Sequence, residues 1–371
     1  MKPSVYLDHA ASSPTDPRVV EQMLGWMGSA NPGSVHRSGQ KAAAALAKSR
    51  RRTAICLGVA PEQIVFTSGG TESNNLALYG ALSTGDHVVA CPTEHPSVVN
   101  PLRALVSSKQ IEVDWLSVDS QGQVKLSDIQ KKIKQNTRMI VVQGVNSETG
   151  AVQPVEQIGR IADEAGIFFF CDAAQWFAGN SKSPVFLGVT HLSLSGHKFG
   201  GPKGVGCLFL RDPNQARPQQ FGGDQEQAVR PGTPNIPGVV GLATALELWQ
   251  AESKERIQKF SSLNQLLAEQ LGPLGQAVLK GSSPASPQIV SFLFPGYNAQ
   301  QMLMQLDLLG LEVSSGSACS LGKGEPSAVL LAMGVPPDIA TTVLRFSFGP
   351  NTESQDIRRL AEGLRNLMES S

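Results

Sequence analysis

Lys198 closes the stretch His191-Leu-Ser-Leu-Ser-Gly-His-Lys198, in which an alternating apolar strand (Leu192, Leu194) runs into Ser195-Gly196-His197 and then presents an amine. A lysine at a strand's end, beside a glycine and close to a hydroxyl, suits Schiff-base chemistry, because burial and neighbours readily deprotonate its ammonium. Most lysines are solvated surface charges, so this residue decides nothing alone. The run Ile167-Phe-Phe-Phe-Cys171 reads as a buried strand ending in Asp172-Ala-Ala-Gln175. A carboxylate leaving so apolar a strand needs a cation or a helix N-terminus to satisfy it. A Schiff-base amine and an acid that keeps a pyridine nitrogen protonated are the two parts a pyridoxal phosphate site requires. Ser195 and His197 stand beside the amine as further phosphate donors.

Other candidates fall at the ends of other strands, where ligands bind in open α/β sheets. Thr67-Ser-Gly-Gly-Thr-Glu-Ser73 joins small residues to hydroxyls at a helix start, so Gly70 and Thr71 could cradle an anion. No Gly-Lys-Ser/Thr follows, so it is not a nucleotide P-loop; it also reads as an ordinary helix cap. His95, in Pro92-Thr-Glu-His95, offers a flat imidazole that could stack on a ring or shuttle a proton. Gly144-Val-Asn-Ser-Glu-Thr-Gly150, containing Ser147, is a polar turn with several donors. Cys319 lies in Ser314-Ser-Gly-Ser-Ala-Cys-Ser-Leu-Gly-Lys-Gly324, a Gly/Ser loop with no core to occupy, and reads as an exposed, reactive thiol. Arg345 interrupts the strand Val343-Leu-Arg-Phe-Ser-Phe348, where it could grip a substrate carboxylate through paired hydrogen bonds or meet a structural carboxylate.

The elements that must position these groups alternate along the chain. Seven strands are expected at Ile64–Phe66, His87–Ala90, Ile111–Leu116, Met139–Val142, Ile167–Cys171, His191–Ser195 and Val205–Leu210. Helical patterns over Thr71–Leu82, Pro96–Val106, Leu126–Lys134 and Val155–Ala165 separate them. Such alternation predicts an α/β fold, a mostly parallel sheet covered by helices on both faces. A Pro/Gly-rich stretch, Gly222–Pro237, precedes a long helix expected from Val239 to Leu271. Beyond it, strands at Ile289–Phe294 and Val343–Phe348 and a helix from Ser354 predict a smaller α+β domain.

Composition narrows the class. The chain has 371 residues, 41% hydrophobic and 17% charged, with 31 Lys+Arg balancing 31 Asp+Glu. A neutral chain of this kind is a globular enzyme with no global attraction to nucleic acid or to an anionic membrane. Lys48-Ser-Arg-Arg-Arg52, its one dense basic cluster, reads as a solvated helix face. Five scattered cysteines, without CxxC or a partnering histidine, fit a reducing compartment and exclude a zinc or disulfide framework. No apolar leader and no membrane-length run is read, so a cytoplasmic location is expected.

In order, Tyr6-Leu-Asp-His-Ala-Ala11, Asn31-Pro-Gly-Ser-Val-His36, Val65–Ser73, Thr93-Glu-His95, Asp172-Ala-Ala-Gln175, Ser195–Gly204, Arg230-Pro-Gly-Thr233, Ser314–Cys319 and Leu344–Ser347 cover nearly the whole chain. Together they resemble the cysteine desulfurases, pyridoxal-phosphate enzymes of the class V aminotransferase superfamily with fold type I; the Ser-Ser-Gly-Ser-Ala-Cys loop discriminates. The resemblance implies a large domain over 12–254 with a mostly parallel seven-stranded sheet, and a small α+β domain of 1–11 and 255–371 carrying the cysteine loop. It implies that Lys198 bonds the cofactor, Asp172 its pyridine nitrogen and Gln175 its phenolic oxygen, with His95 stacked on the ring. Gly70, Thr71, Ser195 and His197 would hold the phosphate, with Thr233 reaching it from a second copy, hence a homodimer. Arg345 would bind the substrate carboxylate and Cys319 would be the nucleophile. Ser147 stands where asparagine is usual among cofactor and substrate contacts; Gln227 replaces a common arginine and His9 a common asparagine. The implied reaction takes sulfur from L-cysteine, leaving alanine and a persulfide for a sulfur acceptor or an iron–sulfur scaffold protein. A selenocysteine lyase, another class V lyase or aminotransferase, and a non-catalytic sulfur-relay partner are the alternatives.

Overall fold

Strand residues here alternate between two apolar cores, and that alternation builds the molecule. In the computed structural model, which describes residues 4–280, 284–316 and 326–369, the strands are β1 (Val5–Tyr6), β2 (Ile64–Thr67), β3 (His87–Ala90), β4 (Glu112–Trp115), β5 (Thr137–Val141), β6 (Phe168–Asp172), β7 (His191–Ser195), β8 (Gly206–Leu210), β9 (Gln276–Ala277), β10 (Ile289–Leu293), β11 (Leu311–Glu312) and β12 (Val343–Ser347). All seven strands expected between residues 64 and 210 form one sheet, in the order β2-β8-β7-β6-β5-β3-β4. Strands β3 to β7 run parallel, whereas β8 is antiparallel to both β7 and β2. The short connection from Ser195 to Gly206 can join only antiparallel neighbours, which explains the exception.

Helices cover both faces. Helices α1 (Pro17–Leu24), α2 (Arg37–Leu57), α3 (Gly70–Ala81), α4 (Pro96–Ser107), α5 (Leu126–Lys132), α6 (Val155–Glu164), α7 (Trp176–Gly179) and α8 (Ile236–Leu271) belong to this part of the chain. Val65, Val88, Val141, Phe170 and Leu208 pack with Leu76 of α3 and Leu102 of α4. Ile64, Phe66, Val89, Ile140, Phe169 and Cys171 point into the other core with Ile158 of α6 and Leu242 of α8. Helix α8 begins at Ile236, three positions before its apolar periodicity, because Pro237 fits a first turn and Asn235 caps Gly238 N–H. Its first half packs on the large core through Val239, Leu242 and Trp249. Its second half enters another core through Phe260, Leu263, Leu267 and Leu271, with Phe292 of β10, Phe346 of β12 and Leu7.

This second core is completed by α9 (Ala299–Leu308) and α12 (Ser354–Glu369), while α10 (Ala328–Ala332) and α11 (Pro337–Ala340) pack in a separate small cluster with Val278, Leu293 and Val343. Strand β10 pairs antiparallel with β12 and β9, and β1 pairs parallel with β11. The β1–β11 pair is two residues long on each side, too short to leave a periodic signal in the sequence. The basic cluster of α2 is not uniformly solvated. Arg50 forms a two-armed ion pair with the buried Glu226 and stacks on Phe66, 4.9 Å from the ring centre. Arg52 pairs with Glu247 of α8. A helix face wedged against α8 and the 225–228 turn leaves those guanidinium groups little water, so carboxylates supply the compensation.

Gly206 lies opposite Thr67 on one side and Ser195 on the other. A Cβ there would stand 2.7 Å from Gly69 Cα and from Leu194 O, contacts with backbone that cannot swing aside. Gly206→Ala is predicted to lower stability by about 1–3 kcal/mol, checked by urea unfolding.

Candidate active site

Asp172 ends β6 at 8% exposure. Its Oδ1 accepts Ala174 N–H at 2.9 Å, and its Oδ2 accepts Asn74 Nδ2 at 2.8 Å. The carboxylate is thus half satisfied by its own turn and half by α3. Asn74 was not anticipated from sequence; it sits on the buried face of α3, one turn after Gly70, where it reads as a stray polar residue in an apolar stripe. His95 ends the β3 connection and caps α4, its Nδ1 accepting Ser97 N–H at 3.1 Å. Its ring stands in the cleft, open to solvent yet crowded by protein; that crowding lowers its proton affinity, Asp172 opposing and Lys198 adding to the effect.

Lys198 follows β7 and a single helical turn, and its Nζ donates to Ala10 O at 2.8 Å and Ala11 O at 2.9 Å. The same Ala10 carbonyl accepts Gln175 Nε2 at 2.8 Å. Ser12 Oγ lies 3.1 Å from His197 Nδ1, and Ser13 N–H donates to His197 O at 2.8 Å. The segment from Asp8 to Ser13 therefore threads the site and ties down three of the predicted residues. Its motif was quoted in the sequence, but Lys198 and Gln175 are held by its backbone carbonyls, which no residue type reveals.

Helix α3 opens at Gly70, and the N–H groups of its first turn have no acceptor within the helix. Ser195 is adjacent: its Cβ lies 3.6 Å from where a Gly70 Cβ would be. Glu72, in that same first turn, is bound by Arg230 at 2.8 Å and by Ser68 N–H at 2.6 Å. Burial alone would raise its pKa, yet these hydrogen bonds outweigh it and hold the carboxyl below its ordinary range. Arg230 thereby offsets an acid that would otherwise repel a phosphate. Thr71 is exposed at the rim, and Thr233 is exposed with no hydrogen bond among the described residues tying it to this turn.

Arg345 is 3% exposed on β12. Its Nη2 pairs with Asp8 Oδ1 at 2.7 Å and its Nη1 donates to Ser147 O at 2.8 Å, while Nε has no partner among the described residues. Both sequence alternatives meet here: a structural carboxylate is present and one donor remains. Ser147 touches the site through its carbonyl rather than its hydroxyl. Cys319 lies outside the described residues. The other four cysteines are buried. Burial pushes the Cys56 thiol up to about 11 and the Cys91 thiol to about 12, and raises those of Cys171 and Cys207 as well. None of the four is suited to be a thiolate nucleophile.

An amine, a buried acid, a flat imidazole and a helix N-terminus form a donor set that fits a phosphorylated heteroaromatic aldehyde. Asn74 Oδ1 and Gln175 Oε1 are buried here without partners among the described residues, as a ligand-binding cleft leaves them. Among the described residues no cluster of side chains could hold a metal ion.

The family profile for class V aminotransferases matches residues 5–360. The cysteine desulfurase IscS of Dictyoglomus turgidum is 36% identical over 377 residues, covering 100% of this chain and 95% of that protein. A cysteine desulfurase IscS of Methanosarcina thermophila is 36% identical, covering 97% of this chain and 90% of its own. Among solved structures, a NifS-like protein superposes with a TM-score of 0.93 at 31% identity, covering 99% of this chain and 100% of that one. SspA in complex with cysteine gives a TM-score of 0.79 at 32% identity, over 94% and 99% of the two chains.

Three histidines around the site and sheet are held neutral. Burial pushes His9 and His197 down to about 4 and His191 to about 3, from 6.5. Each binds fewer protons folded than unfolded, so its contribution is complete above about pH 6.5 and is lost as pH falls towards 4. Urea midpoints are predicted to decline through that window, and His191→Gln to flatten part of the slope.

Proposed function

This chain belongs to the class V aminotransferase family, and we propose that it is an L-cysteine desulfurase working with pyridoxal phosphate on a fold type I scaffold. The observation that carries the reading is the gathering of Lys198, Asp172 and His95 beyond the carboxyl ends of β7, β6 and β3, beside the free N–H groups of α3. When bound, the cofactor supplies an electron sink that acidifies the substrate Cα–H and weakens its Cβ–S bond.

Asp172, its own position fixed by Asn74 and Ala174, would keep a proton on the pyridine nitrogen. Gly70, Thr71, Ser195 and His197 would hold the phosphate, Gln175 would bind the phenolic oxygen, and His95 would stack on the ring. Arg345, steadied by Asp8 and Ser147 O, holds the substrate carboxylate. Lys198, its amine placed by the Ala10 and Ala11 carbonyls, takes the Cα proton and returns it. Cys319 attacks the substrate sulfur as a thiolate. The Cβ–S bond breaks, an S–S bond forms on the enzyme, and the substrate carbon skeleton gains protons and leaves as alanine.

The same reading places the boundary between domains 12–254 and 1–11 plus 255–371 within α8, supported by the two cores its halves enter. It makes the protein a homodimer, in which Thr233 reaches the partner's phosphate; Phe221 at 94% and Val35 at 89% exposure support a covered face. The persulfide is passed to a sulfur acceptor or an iron–sulfur scaffold protein, in the cytoplasm. No described helix is long and apolar enough to cross a membrane.

Mass spectrometry after incubation with L-cysteine is predicted to find one added sulfur on Cys319, absent in Lys198→Ala. Cys319→Ala is predicted to lower alanine release by about 10³-fold while leaving the cofactor's absorbance in place. Label on another cysteine, or turnover surviving Cys319→Ala, would refute the assignment.

A further inference from the structure

An unbroken line of hydrogen bonds joins Asp172 to His95 through two side chains, Asn74 and Ser97, that are not among the residues expected to touch cofactor or substrate. Asn74 Nδ2 donates to Asp172 Oδ2 at 2.8 Å and to Ser97 Oγ at 2.8 Å. Ser97 Oγ lies 2.7 Å from His95 Nδ1, and Ser97 N–H donates to that same nitrogen at 3.1 Å. An amide nitrogen cannot accept, so the direction of the line is fixed. Ser97 Oγ accepts from Asn74, and its single proton is free for His95. A backbone N–H cannot be turned around either. Nδ1 therefore accepts, its one lone pair claimed by the Ser97 N–H and shared with the Ser97 hydroxyl, and a neutral imidazole accepting at Nδ1 carries its proton on Nε2.

We propose that Ser97 and Asn74 are positioning residues that hold His95 as its Nε2–H tautomer and tie its proton affinity to the Asp172 carboxylate. The imidazole then offers a donor, not an acceptor, to whatever occupies the cleft. A second proton on Nδ1 would abut a backbone N–H and would force the Ser97 hydroxyl to give up its donor role. The charged groups around His95 are Asp172 from the end of β6 and Lys198 from beyond β7, with Glu94 immediately preceding it. Burial and the Asp172 carboxylate both raise the pKa of Glu94, which weakens it as a competing anion. Asn74 is 1% exposed and anchored at both bonds, so the line has a rigid centre. The role in turnover rests on the desulfurase reading; the tautomer does not.

The test is nitrogen-15 NMR of the histidines in the cofactor-loaded enzyme, with His95→Gln assigning the signal among six. The expected wild-type spectrum shows His95 protonated on Nε2. Ser97→Ala, on the first turn of α4 where alanine favours helix, is expected to raise the His95 midpoint by about half a unit or more. Ser97→Thr restores it, and Asn74→Ala shifts it in the same direction. The acidic limb of kcat/KM for L-cysteine moves up with the midpoint in Ser97→Ala. A proton on Nδ1 in the wild type, or a midpoint unmoved by Ser97→Ala, overturns the proposal. Should Ser97→Ala fail to retain cofactor, the wild-type tautomer still decides. A wild type inert towards cysteine overturns the desulfurase reading and leaves the tautomer standing.

Discussion

A carboxylate at the end of a buried apolar strand is the constraint from which this site grows. Phe169, Phe170 and Cys171 of β6 are fully buried, so the chain delivers Asp172 where water cannot solvate it. Leaving such a charge unpaired costs several kcal/mol, whereas each hydrogen bond to a charged group returns about 1.5–3 kcal/mol. The Ala174 N–H and the Asn74 amide make two such bonds. They hold the oxygens in place without neutralising them, which keeps the charge available to a cationic ring nitrogen. An arginine in place of Asn74 would satisfy the acid better and spoil it for that use.

What sequence reveals here follows from what each feature depends on. Strands buried on both faces were legible because Ile64-Val-Phe66 or Ile167–Cys171 reads as a continuous apolar run, whereas the half-exposed edge strand β4 shows instead the alternation of Ile111-Glu-Val-Asp-Trp115. Lys198, Asp172 and His95 were legible because strand ends are where such a sheet binds ligands. The strands β1 and β11 were not, since two residues carry no period. Nor was Asn74: helix α3 is buried on several sides, and a polar residue there is distinguishable only once Asp172 is seen across from it. The solvated reading of Lys48–Arg52 failed for Arg50 because nothing near it in sequence announces Glu226, whose turn arrives 176 positions later.

Some substitutions against the family pattern acquire a physical sense. His9 replaces a common asparagine, and its ring lies over Gly349, where any Cβ would stand 1.9 Å from His9 Cε1. Tyr6 meets the ring edge-on at 4.9 Å, and Ser13 Oγ lies 3.3 Å from Nδ1. A larger, neutral ring fills the space that a glycine opens, so histidine and glycine are a matched pair. Gln227 adopts a positive φ of 62° beside Glu226, and the acid of that turn is already answered by Arg50. Nothing in the structure explains the serine at 147, whose contribution to Arg345 is a carbonyl that any residue would supply.

The segment Tyr6–Ser13 couples the two cores to the chemistry. Leu7 is packed in the smaller core, and Ser347 of β12 binds Leu7 O and Ala10 N–H on either side of the strand's end. The next residues hold Lys198, Gln175 and His197, which belong to the larger sheet. Asp8 meanwhile holds Arg345 from the smaller core. The Lys198 amine and the Arg345 guanidinium are thus set relative to one another by four consecutive residues, not by the distant packing of two cores. Any shift of the smaller core against the sheet must pull on Ala10 and Ala11, and through them on the Lys198 amine. The distance between that amine and that guanidinium is therefore fixed locally, as the proposed reaction at a single carbon atom would demand.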